Sequence, residues 1–299
     1  MYLIVSGTGR IGGAVARALL ADGARVRVAA RNPGRMAELQ DLGAEVARFD
    51  LTDADTFKPA LQGIDHVLAT AHGMIGTGAN SSQRVDLDGY HAFIDAAKWA
   101  RVGRFVYISA LGASSDHPID FFRHKFATEE YLRASGLGHT ILRPAAFMEI
   151  WGELIGRSVL TQGKTTLFGP GTNPISFISE RDVVAFALLA LQDTALRNKT
   201  IDLGAENLTH TQVAELYASA LGKTVRINHV PLPVLRFMAL LIAPFNEGQA
   251  RLIRTAIHMA TAEMRFDPTR LLQTYPRTLV SFHDVVREAI LTLGVVQAA

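Results

Sequence analysis

The chain opens on a short apolar strand pattern, Tyr2 to Val5. This runs straight into Gly7-Thr8-Gly9-Arg10-Ile11-Gly12 and then a helix-forming run from Ala14 to Ala21. No other feature constrains the fold as strongly. In a Gly-x-Gly-x-x-Gly turn between strand and helix, the first glycine allows the tight turn and the second lets the backbone approach a pyrophosphate. The third lets helix and strand pack closely. Gly7, Gly9 and Gly12 take those places, and Thr8, Arg10 and Ile11 are expected to line the same loop. A diphosphate would sit on the free N–H groups at the helix N-terminus, where the macrodipole favours negative charge.

Strand and helix patterns alternate after that point. Apolar, β-branched runs at 25–30, 44–48, 66–71, 104–109 and 139–142 are separated by helical patterns at 36–42, 53–61, 82–100 and 122–134. Repeated β-α units predict a doubly wound parallel sheet, an α/β fold whose ligand crevice lies at the carboxyl ends of its strands. Past Pro144 the rhythm changes. The stretch 163–171, rich in glycine and threonine, reads as a turn or hairpin, and a strand is expected at 199–203. Ser179…Asp182, Thr209…Gln212 and Ser281…Asp284 have the spacing of capping boxes at helix starts. The expected organisation is a dinucleotide-binding domain over 1–150. Residues 151–299 would add the remaining sheet elements and a small, mostly helical cap over the crevice, with no clean linker between.

The end of the second strand separates the two nicotinamide cofactors. A carboxylate there suits a free ribose 2′-OH, whereas an arginine accommodates a 2′-phosphate. Here the strand ends in Arg31-Asn-Pro-Gly-Arg35 with no acid nearby. Arg10, Arg31 and Arg35 therefore point to NADPH, since guanidinium makes bidentate, charge-assisted bonds to phosphate. NAD remains the alternative, as does a solvated surface role for Arg35. Asp50-Leu51, past the third strand, is placed for the adenine edge, although Asp50 also suits a helix cap near Asp53. Ala71, after the fourth strand, is expected near the cofactor, and His72 beside it near the nicotinamide.

Composition narrows the classes. The 299 residues carry 30 basic and 28 acidic side chains, interspersed, so nothing points to nucleic acid. Cysteine is absent, which excludes disulfides, thiolate metal sites and cysteine nucleophiles and fits a cytoplasmic protein. The first strand begins at once, leaving no expected signal peptide. The apolar stretch 230–245 is interrupted by prolines and Arg236, so no integral membrane segment is expected. That stretch reads as an acceptor-pocket wall, core packing, a lid, a dimer surface or a peripheral membrane contact. No metal-ligand spacing and no Gly-x-Ser-x-Gly elbow occur.

The glycine loop, Arg31, Asp50-Leu51, Tyr107-Ile-Ser-Ala-Leu-Gly-Ala113, the Lys125…Glu129 spacing and Ser135-Gly-Leu-Gly-His-Thr-Ile-Leu-Arg-Pro144 together resemble the NmrA-like group of atypical short-chain dehydrogenase/reductases. The resemblance covers residues 1–205 well and the remainder loosely. It implies isoflavone-reductase-like or quinone-oxidoreductase-like chemistry with NADPH. The parent superfamily uses serine, tyrosine and lysine, with the tyrosine four residues before the lysine. By that resemblance Ser109 takes the serine place and Lys125 the lysine place, holding the ribose and supplying a proton.

The tyrosine place is Phe121, which can neither give nor take a proton. Lys125 with a depressed pKa, or His124, is then the candidate acid. His124 and Lys125 point about 100° apart on a helix, so one of them is expected to face solvent. Tyr107 is the remaining candidate, or a packing residue. The expected activity is NADPH-dependent hydride transfer to a small quinone-, enone- or imine-like acceptor, by a monomer or homodimer. The alternative is a non-catalytic NAD(P) redox sensor or assembly protein. A nucleotide-sugar epimerase or dehydratase fits less well without the tyrosine.

Overall fold

The computed structural model describes residues 1–292. Contacts divide the chain into two units, Met1–Arg143 with Val183–Asp202, and Pro144–Asp182 with the chain from Leu203 onward. The first unit begins with β1 (Tyr2–Val5), α1 (Arg10–Ala21), β2 (Val26–Ala30), α2 (Ala37–Asp41), β3 (Glu45–Arg48) and α3 (Phe57–Leu61). It continues through β4 (His66–Ala69), α4 (Tyr90–Trp99), β5 (Arg104–Ile108), α5 (Asp120–Ala134) and β6 (His139–Pro144). Next in the chain come β7 (Ala146–Phe147), α6 (Met148–Trp151), α7 (Arg157–Gln162), β8 (Lys164–Phe168), β9 (Ile175–Ile178) and α8 (Glu180–Gln192). β10 (Lys199–Leu203), β11 (Glu206–Leu208), α9 (His210–Ser219), β12 (Arg226–Val230) and α10 (Leu232–Ile242) follow. The described chain closes with α11 (Glu247–Thr261), α12 (Thr269–Thr274) and α13 (Phe282–Thr292).

In the first unit seven strands form one sheet in the order β10-β6-β5-β4-β1-β2-β3. β1 pairs in parallel with both β2 and β4, Ile4 lying opposite Val28 and Leu68. Strand order therefore reverses between β1 and β4, and that reversal opens a crevice at their carboxyl ends. Leu3, Ile4, Val67, Leu68, Phe105 and Val106 are fully buried because helices cover both faces, so successive residues in each strand are apolar rather than alternating. The α/β doubly wound fold read from the β-α rhythm is what the chain adopts.

The helix expected over 82–100 is not uniform. Gln83–Gly89 is a π-helical segment that passes into α4. There the Asp86 carbonyl accepts from Thr128 Oγ1 at 2.6 Å, and the Asp86 side chain is buried. Such widened turns recur at functional sites.

The second unit holds a three-stranded sheet, β11-β9-β7, and a two-stranded one, β12-β8. The 163–171 segment is not a hairpin. Its residues Lys164–Phe168 pair in parallel with Arg226–Val230, Thr165 opposite Ile227 and Leu167 opposite His229. Thr165 and Leu167 are buried while their neighbours are exposed, a period-2 pattern whose partner lies far along the chain. The core of this unit includes Met148, Phe177, Tyr217 and Phe282.

Two of the three capping boxes close, at Thr209–Gln212 and Ser281–Asp284. At the third, Asp182 accepts from Val280 N–H at 3.0 Å instead, and Ser179 Oγ donates to Glu149. Among the described residues no helix is long and apolar enough to cross a membrane, and no His/Asp/Glu cluster suits a metal ion.

Candidate functional site

The glycine loop turns immediately after β1. Ser6, not Gly7, takes the left-handed turn, with φ of 66°. Gly7 is required for space, since a Cβ there would lie 2.9 Å from Val28 Cβ. Gly12 sits so close to the end of β1 that its Cβ would stand 2.6 Å from the Ser6 carbonyl oxygen. Gly9 is the N-cap of α1, in extended conformation, and no side chain caps that end. No acid lies in the first turn either. Gly9 brings no side chain to the orphan N–H groups of this helix start, and a Cβ there would crowd the Ser6 carbonyl oxygen at 3.2 Å. Thr8 and Arg10 are exposed beside it, and Ile11 is buried in α1.

At the β2 side of the crevice Arg31 is exposed and donates from Nη1 to Asn80 Oδ1 at 2.7 Å. Asn80 belongs to the long connection after β4, so this bond joins the loops on either side of β1. Arg35 is exposed on the turn that Asn32 caps. The Asp50 carboxylate accepts from the backbone N–H and hydroxyl of Thr52, at 2.9 and 2.8 Å, and does not cap the helical turn at Ala54. The Leu51 side chain is buried.

Beyond β4 the Ala71 carbonyl accepts from Tyr90 OH at 2.8 Å. His72 next to it is exposed, its ring edge-on to Phe121 with centroids 6.1 Å apart.

Lys125 lies on the inner face of α5, 2% exposed. Its Nζ donates to the Ile108 carbonyl at the end of β5, at 3.1 Å, and stands 3.3 Å from Asp86 Oδ1. The rings of Tyr107, Phe121 and Tyr90 surround it, their centroids 4.8, 5.5 and 5.5 Å away. Burial pushes this ammonium below the usual lysine range, against the opposing pull of Asp86. The two tyrosines are driven well above their usual range by the same burial.

Asp86 Oδ2 accepts from Ser82 Oγ and from Gly73 N–H, both at 2.9 Å, and Ser82 Oγ lies 3.0 Å from His124 Nδ1. Ser82 has one hydroxyl proton, and it goes to Asp86, so His124 Nδ1 is the donor of the last bond. A continuous polar chain thus runs Lys125–Asp86–Ser82–His124, from a buried ammonium to a half-buried imidazole. Lys125 and His124 diverge on α5, as their spacing requires, and are joined through Asp86 and Ser82.

Ser109 is 5% exposed, and its hydroxyl donates to Glu129 Oε1 at 2.5 Å. The buried Glu129 also takes Arg143 at 2.8 and 2.5 Å and Arg133 at 3.0 Å. Ser109 is therefore tied to α5, with its proton committed. Tyr107 OH is buried beneath Tyr90, their ring centroids 5.0 Å apart.

Asp86, Ser82, Tyr90 and Asn80 did not stand out in the sequence. The signal was a spacing: 82, 86 and 90 recur every fourth residue, one face of a helix.

A photosystem II assembly factor, Ycf39, of Synechocystis sp. is 30% identical over 239 residues, 79% of this chain and 72% of the relative. An NAD(P)H azoreductase of Xenophilus azovorans is 29% identical over 228 residues, 76% of each. In fold the chain is similar to the NADPH-dependent quinone oxidoreductase QOR2 of Escherichia coli, solved with NADPH. That likeness has a TM-score of 0.79 at 22% identity and covers 97% of this chain and 100% of the other. The NmrA-like family matches residues 2–268, and the chain belongs to that family.

Proposed function

We propose that the chain is an NADPH-dependent reductase that passes hydride to a small quinone-, enone- or imine-like acceptor. The observation that carries this reading is Lys125, a buried ammonium at the carboxyl end of β5, linked through Asp86 and Ser82 to His124. When bound, NADPH supplies the hydride. The protein's part is to hold and orient it and to manage one proton. The uncapped start of α1 and the close-packed glycines receive the diphosphate. Arg31, steadied by Asn80, faces the 2′-phosphate, with Arg10 and Arg35 beside it.

Lys125 meets the ribose hydroxyls and, with its pKa depressed, releases a proton that the Asp86–Ser82–His124 chain restores. Phe121 holds no proton, so Lys125 is left as the acid for the one proton that an acceptor such as a quinone needs after hydride transfer. The relative named an azoreductase and the fold neighbour named a quinone oxidoreductase support an acceptor of that kind.

The test is NADPH oxidation by the purified chain with menadione, an azo dye and an enone in turn. Turnover that Lys125→Ala abolishes while NADPH still binds supports the reading. Binding without turnover on any acceptor favours the second reading, a non-catalytic NAD(P)-sensing or assembly protein. That reading is supported by Phe121 and by the relatives named as photosystem II assembly factors.

A further inference from the structure

Of the eleven large apolar side chains exposed among the described residues of the second unit, six lie on α10 and the turn after it. Val234, Phe237, Met238 and Leu241 follow the i, i+3, i+4, i+7 spacing of one helix face, and Phe245 extends that stripe beyond the last turn. Phe237 is 62% exposed, Leu240 72% and Phe245 90%. The opposite face, through Leu235 and Ala239, is buried, and α10 packs against α11. A helix apolar on both its packed and its open face has a second apolar environment to meet. At 11 residues it spans roughly 16 Å, about half a hydrocarbon core, so it can lie on a bilayer but not cross one.

Charge selects the occupant. Between Glu215 and Glu247 the sequence has no acid, while Lys223, Arg226 and Arg236 are all exposed cations. Glu247 itself is paired with Arg254. Elsewhere acids and bases are mixed almost evenly. Arg236 stands at the edge of the apolar stripe, where a long side chain keeps its head among phosphates while its neighbours enter acyl chains. A second copy of the same face would bring like charges together with no acid in the segment to answer them.

We infer that α10 is a docking surface for an anionic phospholipid membrane. Phe237, Leu240, Leu241 and Phe245 enter the headgroup–acyl boundary, and Arg236 at the edge of the stripe meets lipid phosphates. Neither contact depends on the cofactor.

The test is sedimentation of the full chain with sucrose-loaded vesicles. One set is phosphatidylcholine alone and the other contains about one-third phosphatidylglycerol, each at low and high salt. Binding to the anionic vesicles, weakened by salt, is expected. Phe237→Ser and, separately, Phe245→Ser should each lower partitioning by about tenfold. Arg236→Glu should reduce the preference for anionic lipid. Because these side chains are exposed, each variant should unfold in urea at the wild-type midpoint, and having two apolar variants guards against one that does not. Failure of the wild-type chain to sediment with either vesicle overturns the inference, as does binding that no substitution alters. A stable dimer that Phe237→Ser converts to monomer, without vesicle binding, overturns it in favour of a second copy.

Discussion

Lys125 Nζ stands 3.3 Å from the Asp86 carboxylate, with neither side chain more than 2% exposed. A buried ion pair of this kind is weak in net stability but costly to break on one side, because the surviving charge has no water to turn to. Asp86→Asn keeps the shape and removes the charge, so it should destabilise the chain by about 3–5 kcal/mol, as should Lys125→Met. The double variant should recover most of that loss, since the pair and its desolvation disappear together. Urea unfolding of the four proteins measures this, and simple addition of the two single losses would show that the pair is not coupled.

The glycine loop makes a sharper steric claim. Gly12→Ala places a methyl 2.6 Å from the Ser6 carbonyl oxygen; the oxygen belongs to backbone and the methyl is fixed to Cα with no torsion to relieve it, so neither can step aside. Gly9→Ala meets the same oxygen at 3.2 Å, a contact that a few tenths of an ångström relieve. Overpacking of this kind costs about 1–3 kcal/mol, so Gly12→Ala should unfold markedly earlier than Gly9→Ala. Gly9→Ala should instead show its effect on dinucleotide affinity. Thermal unfolding with and without NADPH separates the two.

These sites differ in how far the sequence disclosed them. The glycine loop is local, strand and helix being adjacent in the chain, so its three glycines and the sheet around them were legible. The positive φ at Ser6 was not legible there, because serine carries no composition signal for it. Lys125 was reachable by resemblance. Asp86 and Ser82 were not, because polar residues at helical spacing look like a solvated face, and only packing against α5 turns them inward. Ser109 was placed by resemblance beside the crevice, but its hydroxyl goes to Glu129, a partner set by tertiary contact. The parallel pairing of β8 with β12 joins segments about sixty residues apart, beyond any turn pattern.

Arg31 and Asn80 offer a test of cofactor choice that needs no acceptor. A charge-assisted bond to a phosphate contributes about 1.5–3 kcal/mol, so Arg31→Ala should weaken NADPH binding by roughly ten- to a hundredfold. NADH binding should change little. Asn80→Ala leaves the guanidinium in place but frees its orientation, and a smaller loss confined to NADPH is expected. Calorimetric titration with both cofactors reads each effect, and equal losses for NADH and NADPH would refute a 2′-phosphate contact.

His210 gives the second unit a predictable acid limit. It is 7% exposed, stacks on Trp151 with centroids 4.3 Å apart, and burial lowers its pKa from 6.5 to about 4. The unfolded chain therefore binds this proton at higher pH than the folded one. Between pH 6.5 and about 4 the unfolded state holds more protons, so stability falls as pH falls through that window. Above it the imidazole is neutral in both states and contributes no pH dependence. The full loss is roughly 3 kcal/mol at one end of the window relative to the other. His210→Phe keeps a ring to stack on Trp151 and removes the titration. Urea midpoints measured from pH 7 to pH 4 should fall less steeply in that variant than in the wild-type chain, and parallel slopes would assign the acid sensitivity to other groups.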